Sequence, residues 1–169
     1  FLLDAPAEMG FCDNLLKMIE QRRHGRGRFG EIIARPTAAL QQILKPPFET
    51  LAPSIMRAEQ SNTSILYGDR LILKLFRRLQ AGVNPDLQIG HYLTEKGFAH
   101  IPPVAGFIEY RSPQGTPKTL ALLQGYVINQ GDAWEYTLNV LDRYFEQIIA
   151  RGIVREKATV PRAGLLQLS

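Results

Sequence analysis

The chain has 169 residues, of which 45% are hydrophobic and 21% charged, with a formal net charge of +4 at pH 7. These values are typical of a globular protein with a real core, and no run of about eighteen apolar residues is present to span a membrane. The amino-terminal segment lacks the features of a signal peptide, and Cys12 is the single cysteine. We therefore expect a cytoplasmic protein without an internal disulfide or a membrane partner. Because Phe1 replaces an initiator methionine, we also expect a fragment of a longer protein.

A basic segment follows the first predicted helix. That helix is expected to begin after Asp13 as its N-cap and to end near Gly25. The basic residues of the segment are Arg22, Arg23, His24, Arg26 and Arg28. One interpretation is a patch for nucleic acid or another polyanion, and the other is a basic helix end that continues into a solvated loop. Because Phe29 is the one aromatic residue among them, we favour the loop and expect no nucleic-acid partner.

Two short elements and a pair of prolines come next. Residues 29–35 predict a strand, and residues 37–44 predict a short helix. Pro46 and Pro47 then remove two backbone donors and force an extended chain. We therefore predict a boundary at this point, with residues 1–50 as a small N-terminal cap subdomain that cannot fold alone.

The most informative stretch is a predicted β-hairpin. Residues 62–67 and 71–76 are its two strands. The first carries Ile65, Leu66 and Tyr67, and the second is apolar on both faces except at Lys74. Gly68 and Asp69 suit the turn between them, because glycine tolerates a positive φ and aspartate tolerates tight corners. The hairpin is the element on which the functional interpretation depends.

Lys74 lies in the second strand of this hairpin and shares its face with Ile72 and Phe76. An ammonium group among apolar side chains needs an anion or access to water. A polar loop at residues 61–64, a hairpin and an inward lysine form the arrangement by which kinase-type folds hold nucleotide phosphates. The alternative is a lysine that extends to solvent or protects an edge strand.

The next helix has a clear start. Asn84 as N-cap, followed by proline and an acid in the first turn, predicts a helix that runs to about residue 96. Its apolar residues, which can face a sheet, are Leu87, Ile89, Tyr92 and Leu93. Gln88 and Glu95 lie seven positions apart on one face and are the candidate partners for Lys74. The alternative for both is exposure to solvent.

The second half of the chain predicts another hairpin and a long helix. Residues 104–110 and 119–127 predict strands joined by a turn-rich loop. The leucines expected to be buried in the second of these strands are Leu120, Leu122 and Leu123. Residues 133–150 carry an apolar stripe at helical spacing, and Asp132 with Glu135 forms a capping pattern. The histidines show no metal-ligand spacing, and no Walker A or nucleophile-elbow motif is present.

This order of elements is that of the amino-terminal lobe of a kinase-like fold. Three segments, AEQSNTSILYGDRLILKLFRRL, NPDLQIGHYLTE and LLQGYVINQGDAWEY, resemble bacterial maltokinases, particularly the form fused to trehalose synthase. That family is similar to the aminoglycoside-phosphotransferase branch of protein-kinase-like enzymes, and the resemblance covers nearly all of residues 1–150. It implies an α+β fold with an antiparallel sheet and a packed helix at residues 51–130, after the cap. Residues 131–169 would then be a helix and tail that lead to a carboxy-terminal lobe.

The resemblance also implies an activity. Maltokinases transfer the γ-phosphate of ATP to the anomeric hydroxyl of maltose, need Mg²⁺ and, in the fused form, have a trehalose synthase domain in cis. By motif, the phosphate-covering loop is Ser61, Asn62, Thr63 and Ser64, and Lys74 is the lysine that contacts the phosphates. The linker that holds adenine is, by the same resemblance, Gln124, Gly125, Tyr126 and Val127.

Two departures from the family pattern bear on function. The chain reads NPDLQ where the family commonly reads NPDLE, so Gln88 stands in place of the acid expected to pair with Lys74. The catalytic base and the magnesium-binding acids belong to the carboxy-terminal lobe in that family, so we expect no catalytic or metal-binding residue in this fragment. An amino-terminal fragment of a maltokinase, inactive alone, is the leading hypothesis. The alternatives are a non-catalytic kinase-like module beside a trehalose-forming glycosyl isomerase and a small basic nucleic-acid-binding domain.

Overall fold

The structure is a computed structural model that describes residues 5, 8–44, 51–56, 62–113, 115–129, 131 and 133–151. It contains two compact units, residues 1–128 and 129–169. Several predicted features lie outside the described residues: the boundary at Pro46 and Pro47, Ser61 of the polar loop, the Asp132 cap and the tail from residue 152. The cap subdomain at residues 1–50 and the division at residue 130 remain predictions.

The first unit is an antiparallel sheet with helices on it. Its strands are β1 (His24–Gly27), β2 (Gly30–Pro36), β3 (Pro53–Met56), β4 (Asn62–Tyr67), β5 (Leu71–Phe76), β6 (Val104–Arg111) and β7 (Lys118–Gly125). Its helices are α1 (Met9–Glu20), α2 (Ala38–Ile43) and α3 (Pro85–Glu95). The order across the sheet is β1-β2-β6-β7-β5-β4-β3, and every pair of neighbouring strands is antiparallel. The expected α+β class with an antiparallel sheet is confirmed.

One side of the sheet, here called the packed face, carries the main core. Alternation along the strands places Ile65, Leu73 and Leu123 on this face, each with no solvent exposure. Helix α1 covers it with its apolar side, and α2 adds Leu40. The α1 residues in this core are Cys12, Leu15, Leu16 and Ile19.

Gly106 and Tyr67 show how closely α1 lies on the packed face. A Cβ atom at Gly106 would meet Ile19 Cγ2 and would lie 2.9 Å from the carbonyl oxygen of Arg35. The hydroxyl of the fully buried Tyr67 donates a hydrogen bond of 2.6 Å to the carbonyl oxygen of Cys12. Burial raises the pKa of the Tyr67 phenol, and nearby Cys12 and acidic groups raise it further. Burial, followed by the charge of Asp13, likewise raises the pKa of the Cys12 thiol.

The opposite side, here called the open face, carries a smaller core beneath α3. Leu87 of α3 packs with Val104 and Leu122 of the sheet. Gly90 allows this approach, because a Cβ atom there would lie 3.0 Å from Val104 Cγ2. The predicted N-cap is confirmed: Asn84 accepts a hydrogen bond of 2.8 Å from the backbone N–H of Asp86.

Several local predictions are confirmed by these elements. The hairpin strands at residues 62–67 and 71–76 have the expected bounds, and Gly68 has a φ of +58° in the turn. In the second unit, helix α4 (Ala133–Ala150) has the expected bounds as well. The strand at residues 30–36 and the helix at residues 38–43 agree with the predictions to within one residue.

Other predictions were wrong, each because contacts distant in the sequence decided the outcome. Helix α1 begins at Met9 rather than after Asp13, since Cys12 belongs to the core. The basic segment is not a loop, because residues 24–27 pair with β2 as strand β1, which also includes Gly25. Strand β3 was not predicted.

Burial was also misjudged at three positions. Ile89 and Tyr92 were expected to face the sheet, but they are 59% and 58% exposed because Leu87 and Gly90 form the side of α3 that meets the strands. Leu120 is half-buried rather than buried. Among the described residues, no helix has both the length and the apolar character needed to cross a bilayer.

Candidate functional site

Lys74 occupies the centre of the open face. It lies opposite Ser64 of β4 and Leu122 of β7, and it is half-buried. No carboxylate of the described residues forms a salt bridge with its ammonium group. A half-buried cation without a paired acid is available for an anionic ligand.

Two clefts meet at Lys74. The first, called here the β4–β5 cleft, has a volume of about 390 Å³ and includes Asn62, Arg78, Asp86 and Thr119 beside the lysine. Lys74 and Arg78 supply two positive charges and Asp86 one negative charge. The backbone N–H of Asn84, which donates to Thr119 Oγ1 at 3.0 Å, ties the start of α3 to β7 at the edge of this cleft. The cleft is therefore polar, predominantly cationic and framed by elements of the sheet and α3.

The second cleft, called here the α3–β7 cleft, has a volume of about 340 Å³. Its lining includes Lys74 together with Ile89, Gly90, Leu93, Pro102 and Gln124. Apolar side chains dominate this list. A planar ligand group with a polar edge would suit such a cleft better than a phosphate would.

Asp86 lines both clefts together with Lys74, whereas the expected partners Gln88 and Glu95 line neither. Asp86 lies in the first turn of α3, where a carboxylate is favoured by the helix dipole. Gln88 is exposed and stands two positions further on, which turns it about 200° around the helix axis. Glu95 is exposed and lies 3.7 Å from His91 on its own helix. The structure therefore does not bring the two expected partners to Lys74.

The described residues of the polar loop are strand residues. Asn62, Thr63 and Ser64 begin β4 and are all buried, which corrects their prediction as a loop. Asn62 Nδ2 donates to Ser64 Oγ at 3.1 Å, and Thr63 Oγ1 accepts from Arg77 Nε at 3.2 Å. Of the three, Asn62 lines the β4–β5 cleft with Lys74, whereas Thr63 alternates to the other side of the sheet.

The predicted adenine linker begins at the end of β7. Gln124 reaches the α3–β7 cleft. The N–H of Gly125 donates to the carbonyl oxygen of Pro103 at 2.9 Å, and the N–H of Tyr126 donates to the carbonyl oxygen of Arg70 at 2.7 Å. Val127 is 55% exposed. Adenine recognition by this linker stays a prediction, and it would have to use groups other than these two N–H donors.

Asp86, Arg78 and Thr119 were missed from the sequence as site residues. Asp86 was interpreted as a first-turn acid alone. A usable signal was present, because positions 86, 89, 90 and 93 follow the i, i+3, i+4, i+7 spacing of one helix face. For Thr119 the sequence gives no comparable signal, since its place depends on the register shift between β6 and β7.

The fold is shared with known kinases. No protein-family model matches the chain. A solved structure of glucosamine kinase in complex with glucosamine, ADP and inorganic phosphate has a TM-score of 0.53 and 16% identity, and the match covers 86% of this chain and 30% of that one. A second glucosamine kinase structure, crystal form B, has a TM-score of 0.52 and 18% identity, with 86% and 31% covered.

At these identities the likeness concerns the fold alone. The chain spans about a third of the length of the glucosamine kinases that it matches. Together with the antiparallel sheet and the position of α3, the likeness confirms the expected kinase-like amino-terminal lobe.

Proposed function

We propose that the chain is the amino-terminal, ATP-facing portion of a sugar kinase. The observation that carries the proposal is the half-buried ammonium group of Lys74, which meets two clefts and has no salt bridge to a described carboxylate. A cation held this way stabilises phosphate charge more strongly than an exposed lysine would. The likeness to structures of glucosamine kinase, one of them with ADP, supports a nucleotide as the anionic ligand.

The chemistry of the two clefts suits the two ends of ATP. Lys74 and Arg78 would offset the charge of the phosphates in the β4–β5 cleft, and Asn62 would offer an amide to a phosphate oxygen. The more apolar α3–β7 cleft, with Gln124 at its edge, would receive the adenine.

The described part of this chain offers no set of side chains that would bind Mg²⁺. No group of three or more His, Cys, Asp or Glu side chains there could hold a metal ion. Asp86 alone is a weak site, because Mg²⁺ needs a near-octahedral set of oxygen ligands. We therefore expect the 169-residue chain by itself to bind ATP weakly or not at all and to form no sugar phosphate.

The finer assignment rests on the sequence resemblance. We propose maltose as the acceptor, with maltose 1-phosphate and ADP as products, in a cytoplasmic enzyme fused to a trehalose synthase domain. Glucosamine, which the matched kinase binds, is the competing acceptor. Since both clefts are assigned to the nucleotide, we expect the sugar contacts to come mostly from the carboxy-terminal lobe of the longer protein.

A second candidate function is a non-catalytic kinase-like module. It is favoured by one observation: Gln88 replaces the acid of the family pattern and is exposed, so that Lys74 lacks the usual charged partner on α3. In this case the fold would serve an interaction rather than a reaction.

An activity assay on the longer protein separates these candidates. Purified protein, ATP and Mg²⁺ are incubated with maltose or glucosamine, and the sugar phosphate is detected by mass spectrometry. We expect maltose phosphorylation that Lys74→Ala lowers about tenfold to a thousandfold and that Lys17→Ala, an exposed lysine on α1, leaves unchanged. If glucosamine alone is phosphorylated, the assignment as a sugar kinase stands and glucosamine takes the place of maltose as the proposed acceptor. No phosphorylation of either sugar would favour the non-catalytic module.

A further inference from the structure

Strand β1 lies at one edge of the sheet, and part of its backbone hydrogen-bonding groups point away from β2, its one partner among the described strands. Strand β1 ends the sheet and pairs with β2 alone among the described strands. Its register joins His24 to Ile33, and the N–H of Ala34 donates to the carbonyl oxygen of Arg23 at 3.0 Å. Since hydrogen-bonded pairs alternate along an antiparallel ladder, Gly25 and Gly27 bond to β2, whereas His24 and Arg26 direct their backbone groups outward. An added strand would meet two N–H and two C=O groups.

The side chains beside this edge form an incomplete row of alternating charges. The register places Arg26 opposite Glu31 and Glu31 opposite Arg111, so the three share one face of the sheet. Glu31 Oε2 is bound by His24 Nε2 at 2.6 Å, and Arg111 Nη2 donates to Glu109 Oε2 at 3.1 Å. No described carboxylate forms a salt bridge with Arg26. The next position outward, beyond Arg26, is therefore where an acidic side chain would complete the row.

The other face of the same edge borders a cleft with apolar walls, whose lining also includes Arg26 and Arg28. Gly25 and Gly27 have no side chains, and they border a cleft of about 410 Å³ whose apolar walls are Phe29, Ile32 and Tyr110. Phe29 is 72% exposed, with the guanidinium of Arg28 5.2 Å from its ring centre. An exposed aromatic residue beside a glycine-lined cleft is suited to receive apolar side chains.

We propose that β1 binds an extended segment of another protein as an eighth strand, with acidic and apolar side chains alternating along it. The acidic side chains meet Arg26, and the apolar ones enter the cleft beside Gly25 and Gly27. In such strand addition the main-chain hydrogen bonds supply affinity and the pockets for alternate side chains supply specificity. The charge of the edge favours an acidic segment over a second copy of this chain, because two such arginine-rich edges repel each other.

The binding test uses three short synthetic peptides on the intact chain. One alternates Glu and Val, one alternates Lys and Val, and one is the Glu-Val peptide with N-methylated backbone amides. We expect saturable, salt-sensitive binding of the Glu-Val peptide, with slower hydrogen exchange at the amides of His24 and Arg26. Equal binding of the Lys-Val peptide, binding of the N-methylated peptide, or an unchanged exchange rate at both amides would overturn the proposal.

A charge reversal locates the acidic contact. Arg26→Glu should lower the affinity for the Glu-Val peptide roughly tenfold and raise that for the Lys-Val peptide, since it replaces an attraction by a repulsion. Lys96→Glu, at the exposed residue that follows α3, makes the same change in net charge outside β1 and β2 and should leave both affinities unchanged. Equal effects of the two variants would mean a general charge effect and would contradict strand addition at β1.

Sedimentation of the chain without peptide tests whether a second copy of the chain binds at β1 instead. We expect no dimer that depends on β1. A dimer that Arg26→Glu alters and that the Glu-Val peptide fails to dissociate would assign the edge to a second copy and overturn the proposal.

Discussion

The two faces of the sheet differ although the same strands build both. On the packed face Leu73 has no exposure and belongs to the main core with residues of α1 and α2, whereas its neighbour Lys74 on the open face is half-buried and meets two clefts. The open face has a core of only three buried residues among those described, beneath α3. The larger set of buried apolar side chains therefore lies on one face, and the other face carries a charged group and clefts.

The largest expected effect is on the packed face. Leu73→Ala should destabilise the fold by roughly 2–5 kcal/mol, because it leaves a cavity in the main core. Ile72→Ala, one residue away on the open face, should cost less because Ile72 is half-buried. Denaturant unfolding of both variants checks the order. Equal losses would contradict the difference between the faces.

The next effect concerns the contact between each helix and the sheet. Gly106→Ala should destabilise by about 1–3 kcal/mol, as overpacking does, because its Cβ would meet Ile19 and the backbone of Arg35. Gly90→Ala should be closer to neutral, since the gain in helix propensity offsets the 3.0 Å approach to Val104 Cγ2. Thermal unfolding of the two variants compares the faces directly. A greater loss at Gly90 would place the tighter contact on the open face.

These elements also show how much the sequence could reveal. The bounds of β4, β5 and the start of α3 follow from local patterns, namely runs of apolar residues, Gly68 in a turn and Asn84 as a cap. Strand β1 has no such pattern, because HGRG becomes a strand only by pairing with β2.

The candidate site also depends partly on contacts between residues distant in the sequence. The position of Lys74 on its strand follows from the local sequence, whereas its role with phosphates stays a proposal. Whether Asp86 or Gln88 shares its cleft depends on the rotation of α3, which the close approach of Gly90 to Val104 sets. No contact of that kind is visible in a single sequence.

A smaller effect is expected from pH, and it should come from the packed face. Burial raises the pKa of both Tyr67 and Cys12. Since the unfolded chain then loses protons first, stability is full below the unfolded pKa values of about 8.5 for Cys and 10 for Tyr, and it falls as pH rises beyond them. Unfolding measured between neutral and alkaline pH should show this decline. The double variant Cys12→Ala, Tyr67→Phe should show less of it, and an equal decline would assign the effect to other groups.

Lys74→Ala should have the smallest effect on stability and the largest on ligand response. Without nucleotide, the free energy of unfolding should change by roughly 1 kcal/mol or less, because no salt bridge to a described carboxylate is lost. The variant keeps Ile72 and Phe76 on the same strand face, so packing beneath α3 should persist.

The most direct measurement is the thermal unfolding of the longer protein with and without ATP, for Lys74→Ala, Lys17→Ala and the parent protein. Ligand that binds the native state raises the melting temperature by an amount set by its affinity. We predict that ATP raises it for the parent and for Lys17→Ala, and that the rise shrinks or disappears for Lys74→Ala. An equal rise in all three proteins would contradict the assignment of Lys74 to the nucleotide.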